Sequence, residues 1–233
     1  MLHACFPLEQ EFVVRRVVSR TRVVFAGEPL DRRHGGFSHP LVGGDPALNF
    51  LNTVHDWTAT ERRDYRTSYA DAVRFGEASG LLSPAEVRRL QAAATAEMRR
   101  LRDLRPRMER LFRAVVESQS PRREDLDALA RDAAAAATMT TISRSADHYT
   151  RTIDVARAGH AALRLRIVDA AIALLTGPPE GLQRIKACPA CGWFFRDDTR
   201  SATRKWCSMA TCGSAAKSRN YYWRTKRDSS RRP

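Results

Sequence analysis

Four cysteines constrain this chain more than any other feature. Cys188 and Cys191 form one close pair, Cys207 and Cys212 a second, and 15 residues separate the pairs. Each pair can supply one edge of a tetrahedron of soft thiolates, which is the coordination that zinc prefers. Two disulfides would need an oxidising compartment, and nothing in the chain signals export. Unpaired core thiols would have no reason to fall into two spaced pairs. The spacing therefore predicts one structural zinc ion held by Cys188, Cys191, Cys207 and Cys212. With four sulfur ligands no position stays open for an activated water, so hydrolysis at the metal is not expected. Gly192 and Gly213 each follow the last cysteine of a pair and are read as tight turns with positive φ.

Charge singles out the same segment. The chain carries a net +14, and +10 of it lies between residues 184 and 233, where 13 Lys or Arg face three Asp. Residues 1–36 and 37–183 contribute only +2 each. A zinc ion with four thiolates subtracts two charges, which leaves about +8 around the metal. No apolar run approaches the roughly 20 residues that span a bilayer. The valine pairs between Phe12 and Phe25 are broken by Arg15, Arg16, Arg20 and Arg22, so they make no signal-peptide core. The expected location is cytoplasmic and nucleoid-associated, with no membrane partner.

The remaining pattern reads as mainly α with a small β-hairpin, an α+β chain. Residues 1–36 fit neither a clean strand nor a clean helix and are taken as a tail, with Cys5 incidental. From Phe37 the body becomes regular. Asp45-Pro46 reads as an N-cap followed by proline at the first helical position. A helix is expected from Tyr69 to Ala78, ending at Gly80. Ser83-Pro84-Ala85-Glu86 is a capping box opening a helix through Val87, Leu90 and Ala94. The next helix carries Met98, Leu101, Leu104, Met108, Leu111, Phe112 and Val115, with a kink or break expected at Pro106. Ser120-Pro121 is expected to start another, through Leu126 and Leu129 to Ala137. Thr138–Ala156 is rich in Thr and Ile and reads as a hairpin centred on Ser145-Ala146-Asp147. Helical period returns from His160 to Leu175, and Gly177-Pro178-Pro179 closes it. That turn is a natural hinge, so truncation near Gly177 is expected to leave a folded body.

Enzyme signatures are absent from this reading. Gly43-Gly44-Asp45 is too short for a phosphate loop, and His55-Asp56 and His148 are better read as surface or cap residues than as a catalytic dyad. Trp193, Phe194, Phe195 and Trp206 are expected to form the mini-core that a small zinc module otherwise lacks. After Cys212 a proline-free stretch should form a helix whose first turn lies beside the metal, with Tyr222 and Trp223 pinning it to the finger or body. Lys217 and Arg224 are seven apart and share a face of that helix. A basic helix held at a fixed angle by zinc is one way to put side chains into a DNA major groove. The expected DNA-binding set is Arg204, Lys205, Lys217, Arg219, Arg224, Lys226 and Arg227.

Two stretches also resemble a known family. Cys188-x2-Cys191-Gly192-Trp193-Phe194-Phe195-Arg196-Asp197, followed by Arg204-Lys205-Trp206-Cys207-Ser208-Met209-Ala210-Thr211-Cys212-Gly213, resembles the CGNR zinc finger. Phe37 to Val54 resembles the opening of the ABATE domain, the usual N-terminal partner of that finger. The resemblance implies a bacterial stress-induced transcription regulator whose finger binds double-stranded DNA. It divides the chain into a tail (1–36), an ABATE-like mainly helical domain (37–178) and a CGNR-like finger with a basic C-terminal helix (179–233). Ser214 and Ala215 stand where the family has Asn and Arg, which reduces specificity or shifts base contact to Lys217 and Arg219. For the body, sensing of a small-molecule effector and formation of a homodimer both stay open. The alternative for the whole is a protein–protein interaction module whose structural zinc finger docks a partner without touching DNA. An enzyme acting on nucleic acid is disfavoured by the closed metal site.

Overall fold

The computed structural model describes residues 40–62, 64–90 and 94–229. The tail, Cys5 and the opening of the body at Phe37 lie outside them.

The first helix, α1 (Pro46–Leu51), starts where Asp45 accepts the Ala47 N–H at 2.9 Å. It has only six residues, yet Ala47 through Leu51 are all buried. A helix apolar on every side belongs in the middle of a core, and α1 lies against three elements described below. Next come α2 (Tyr69–Ala78) and α3 (Pro84–Arg89), each opened by a reciprocal capping box, Ser68 with Asp71 and Ser83 with Glu86.

Helix α4 (Thr95–Val116) runs through Pro106 without the expected break. Proline removes one N–H donor from the helix, but Leu101, Leu104, Met108, Leu111 and Phe112 bury one continuous face on both sides of it. Packing holds the helix together across the lost bond. Helix α5 (Arg123–Thr138) begins after Arg122 rather than at Ser120-Pro121. Its first turn contains Glu124 and the buried Asp125, whose carboxylate pairs with Arg110 of α4 at 2.6 Å and fixes the start.

The hairpin forms as expected, from β1 (Thr140–Ser145) and β2 (His148–Ile153) around Ala146-Asp147. At its base Ile153 packs on Ala136 and Leu165. Its tip overhangs the body, and Ile142 and Tyr149 are each 72% exposed. A short α6 (Val155–Ala158) and a 3-10 turn lead into α7 (Ala162–Leu175), then α8 (Pro179–Gln183). Two three-residue strands, β3 (Ile185–Ala187) and β4 (Phe194–Arg196), pair antiparallel with Lys186 opposite Phe195. The chain ends in α9 (Ser214–Ser229).

Helix α1 packs against α4, α7 and β4. One core accordingly holds Leu48, Phe50, Leu101, Phe112, Leu163 and Ile167 together with Ile185, Trp193, Phe194 and Phe195. The aromatics expected to make a separate mini-core sit in the core of the body instead. The Phe194 ring lies 6.5 Å from that of Phe112. Two three-residue strands cannot cover three large aromatic rings, so those rings are buried where the helices already exclude water. Trp206 is only partly buried and packs against the edge of the same core, with Lys205 Nζ 5.5 Å from its ring centroid.

Candidate metal centre

The first cysteine pair stands in the turn that joins β3 to β4. Cys188 follows β3 directly, and the chain reverses through Pro189 and Ala190. The Gly192 N–H donates to the Cys188 carbonyl at 2.8 Å, and the Cys188 N–H donates to Trp193 O at 2.8 Å. Gly192 has φ 71°, and a Cβ there would stand 2.8 Å from Cβ of Trp57. It therefore needs glycine for both conformation and space. The second pair comes from the other side. Cys207 ends an irregular loop, and Cys212 lies in a π turn, Met209–Gly213, that runs straight into α9. Ser208 caps that turn by accepting the Thr211 N–H. Gly213 is not left-handed. A Cβ there would lie 2.5 Å from Sδ of Met209, the end of an exposed side chain that would have to move aside.

These turns bring four sulfurs within 4.8 Å of one another. Cys191 and Cys207 are 3.6 Å apart, Cys207 and Cys212 3.6 Å, and Cys212 and Cys191 3.7 Å. Zinc–sulfur arms of about 2.3 Å in a tetrahedron give edges of about 3.8 Å, so the cluster has the size of a zinc site and is far too open for a disulfide. Backbone N–H groups of Ala190 and Cys207 are directed at the Cys188 sulfur, and that of Trp193 at Cys191. Amides aimed at sulfur favour thiolate over thiol. Hydrogen bonds from Cys191 and Cys207 hold the Cys188 thiol far below its ordinary range. Its hydrogen bonds with Cys188 and Cys191, and then burial, push Cys207 well above it. Four thiolates crowd together stably only around a cation. Four cysteines this close can bind one zinc ion, which supplies cross-linking and no open coordination position.

The centre is fastened to the body at several points. Asn52, at the end of α1 and fully buried, donates Nδ2–H to Phe194 O at 2.8 Å and accepts the Phe194 N–H at 2.9 Å. Its amide thus pairs with β4 as a neighbouring strand would. Trp193 Nε1–H donates to Val54 O at 2.8 Å, and the Trp57 N–H donates to Cys191 O at 2.9 Å. Within the finger the hub is Asp197, fully buried. It accepts Lys186 Nζ at 2.7 Å, the Arg204 N–H at 2.7 Å and the Thr199 hydroxyl at 2.6 Å. Burial pushes its carboxyl up, but these donors outweigh it and hold it below the usual carboxylate range.

The basic residues divide into two groups. Arg204 is turned inward. Its Nε donates to Trp206 O at 3.0 Å, Nη2 bonds to the carbonyls of Cys207 and Val42, and the guanidinium lies 4.5 Å over the Phe195 ring. Those donors are spent on the backbone of the metal loop. Lys205, Lys217, Arg219, Arg224, Lys226 and Arg227 are exposed. Beyond Ala216, every described side chain of α9 through Arg227 is exposed, including Tyr221, Tyr222 and Trp223. The expected pinning by Tyr222 and Trp223 does not occur. Only Ala216, in the first turn of α9, is buried, and among the described residues no body surface covers the aromatics. No described carboxylate forms an ion pair with Lys217, Arg219, Arg224 or Arg227. At 3.6 residues per turn, Lys217, Arg224 and Arg227 form one stripe and Arg219 with Lys226 a second, about 140° round the helix.

A family model for ABATE, described as a putative stress-induced transcription regulator, matches residues 44–178. The chain belongs to the ABATE family. A model of the CGNR zinc finger matches residues 184–225, which contain all four cysteines. No curated protein matches the chain. Neither matched family is an enzyme family. Among the described residues of this ABATE protein, no helix is long and apolar enough to cross a membrane. At the two positions where the CGNR finger departs from its name, Ser214 donates its hydroxyl to Met209 O at 3.0 Å and Ala215 is exposed. Sequence reasoning missed Asn52, Trp57 and Asp197, which position the finger. Asn52 and Trp57 stand in no motif, and only their long-range hydrogen bonds reveal their part, while Asp197 stands inside the finger stretch but nothing in the sequence marks it as a hub.

Proposed function

We propose that this ABATE protein is a transcription regulator that binds double-stranded DNA through α9. The carrying observation is a helix that, among the described residues, buries only Ala216 of its first turn beside the cysteine cluster, is exposed from Lys217 to Arg227, and carries Lys217, Arg219, Arg224 and Arg227, with which no described carboxylate pairs. A helix with cations on two stripes suits a major groove, where both flanks meet phosphate. Zinc has a structural part here: it fixes the angle at which α9 leaves the body. Lys217, the first cation of α9 after Cys212, is the proposed base reader, with Lys205, Arg219, Arg224, Lys226 and Arg227 on phosphates. Arg204 is left out because its guanidinium serves the metal loop. The helical body is the part that senses an effector or pairs with a second copy.

A second reading has its own support. Tyr221, Tyr222 and Trp223, exposed in succession, also suit a protein partner. Salt titration separates the two. Five phosphate contacts predict that log affinity falls against log salt with a slope of about −4 to −5. Arg224→Ala should weaken every duplex alike and reduce the slope by about one, whereas Lys217→Ala should flatten preference between sites. Salt-independent binding, or variants that bind every duplex as wild type does, would refute the DNA reading and leave the protein-partner one.

A further inference from the structure

Arg66 is a charged group inside the core. It is fully buried, its guanidinium lies 4.5 Å over the Phe50 ring, and none of Nε, Nη1 and Nη2 has a hydrogen-bond partner among the described residues. The carboxylate beside it, Asp64, stands 3.7 Å from Nε, beyond hydrogen-bond reach. That carboxylate is already engaged. Oδ1 accepts the Arg66 backbone N–H at 2.9 Å, and Oδ2 accepts Arg105 Nη2 at 2.7 Å. Arg102 is the third cation of the group and donates to Thr67 O at 3.1 Å. Two guanidinium groups, those of Arg66 and Arg105, therefore share one carboxylate, with Arg102 adding a third positive charge nearby.

Buried polar groups are nearly always satisfied, and an orphaned buried charge calls for an ion or ligand. Burial, reinforced by the field of Arg105, lowers Arg66 to about 9, so it still carries its proton at neutral pH. A guanidinium is a planar fork of donors matched to two oxygens of one carboxylate or phosphate. We infer that Arg66, with Arg105 and Arg102 at its rim, is the seat of a small oxyanion effector bearing a carboxylate or phosphate group. The rim reaches solvent: the side chains of Asp64 and Arg105 are 22% and 11% exposed. Asp64 is the group such an anion would displace from Arg105.

The seat is also wired to the metal centre. Asp64 forms an isolated β-bridge with Val54, whose carbonyl receives Trp193 Nε1. Tyr65 N–H donates to Thr53 O, and Trp57 N–H donates to Cys191 O, both at 2.9 Å. An anion that moves Asp64 therefore pulls on the loop that holds the first cysteine pair.

This inference deepens the sensing part of the proposed function, and its readout is blind to DNA, so its failure is separate from failure of the DNA reading. The test is thermal melting of the full-length, zinc-loaded protein in chloride, with inorganic phosphate or acetate added at constant ionic strength. A saturable rise in Tm with one or both probes is expected, and the better one names the oxyanion class. Arg66→Met should lose that response and melt no lower than wild type in chloride, since an apolar chain replaces an unpaired charge. Arg66→Lys keeps the charge without the fork and should weaken the apparent affinity by about tenfold or more. The double variant Lys217→Ala, Arg224→Ala should respond as wild type does, which excludes anions gathering on α9. No response in wild type, or an undiminished response in both Arg66 variants, would overturn the assignment.

Discussion

Replacing Asn52 tests whether helical body and finger fold as one unit. Asn52 is fully buried and makes two hydrogen bonds, of 2.8 and 2.9 Å, to the backbone of Phe194. Phe194 is itself fully buried, so the orphaned N–H and C=O could not turn to water. A buried polar group without a partner costs about 1–3 kcal/mol, which gives about 2–6 kcal/mol for the pair in Asn52→Ala. Against a usual domain stability of about 5–15 kcal/mol that is a large share. Asn52→Asp sharpens the test because it leaves no cavity. It keeps the acceptor for the Phe194 N–H but turns a carboxylate oxygen towards the Phe194 carbonyl, and it should be destabilised to a similar degree. Urea unfolding followed by tryptophan fluorescence, with released zinc measured in the same samples, reads both effects. The expected result is one transition, shifted to lower urea, in which zinc is lost together with the body. A stability for Asn52→Asp within about 0.5 kcal/mol of wild type, or zinc release well separated from unfolding of the body, would refute the reasoning.

Other expectations follow from the same geometry. Cys207→Ser should lower the zinc content below one per chain by elemental analysis, since Cys207 shares sulfur contacts with both Cys191 and Cys212. Arg204→Ala should lower thermal stability while leaving the salt slope of DNA binding unchanged, because its donors hold the metal loop. Glu86 caps α3 and accepts two hydrogen bonds from Arg166, at 3.0 and 2.7 Å, which hold its carboxyl at about 2 instead of 4.5. A depressed folded pKa stabilises above the unfolded value and is lost as pH falls through the folded one. Wild type should therefore exceed Glu86→Gln by about 1 kcal/mol at neutral pH, allowing for solvent screening. That advantage should shrink as pH drops from about 4.5 towards 2, read by urea melts at each pH.

Much of the local structure could be read from the chain because its causes are local. The helix from Tyr69 to Ala78, the capping box at Ser83–Glu86 and the hairpin around Ala146-Asp147 all stand where their caps and turn residues put them. Each is stabilised within a few residues of itself. The metal site was legible for the same reason. Ligand spacing within each cysteine pair, and the loop between the pairs, are properties of one short segment. Pro106 and Ser120-Pro121 misled because a buried helical face, and the pairing of Asp125 with Arg110, outweigh a local breaker or start signal.

What the chain alone determined is the metal, the helical class of the body, the hairpin, and the concentration of positive charge after residue 184. Tertiary structure decided what those parts do to each other. It put Trp193, Phe194 and Phe195 into the core of the body, joined β4 to α1 through Asn52, turned Arg204 inward, left Tyr222 and Trp223 in solvent, and buried the Arg66 guanidinium without a hydrogen bond among the described residues. The physical reason is range. A cap, a turn or a metal-binding pair is set by neighbours a few residues away, whereas Asn52 and Phe194 are 142 residues apart. Whether an arginine faces phosphate, a carbonyl or nothing depends on which distant segments exclude water around it.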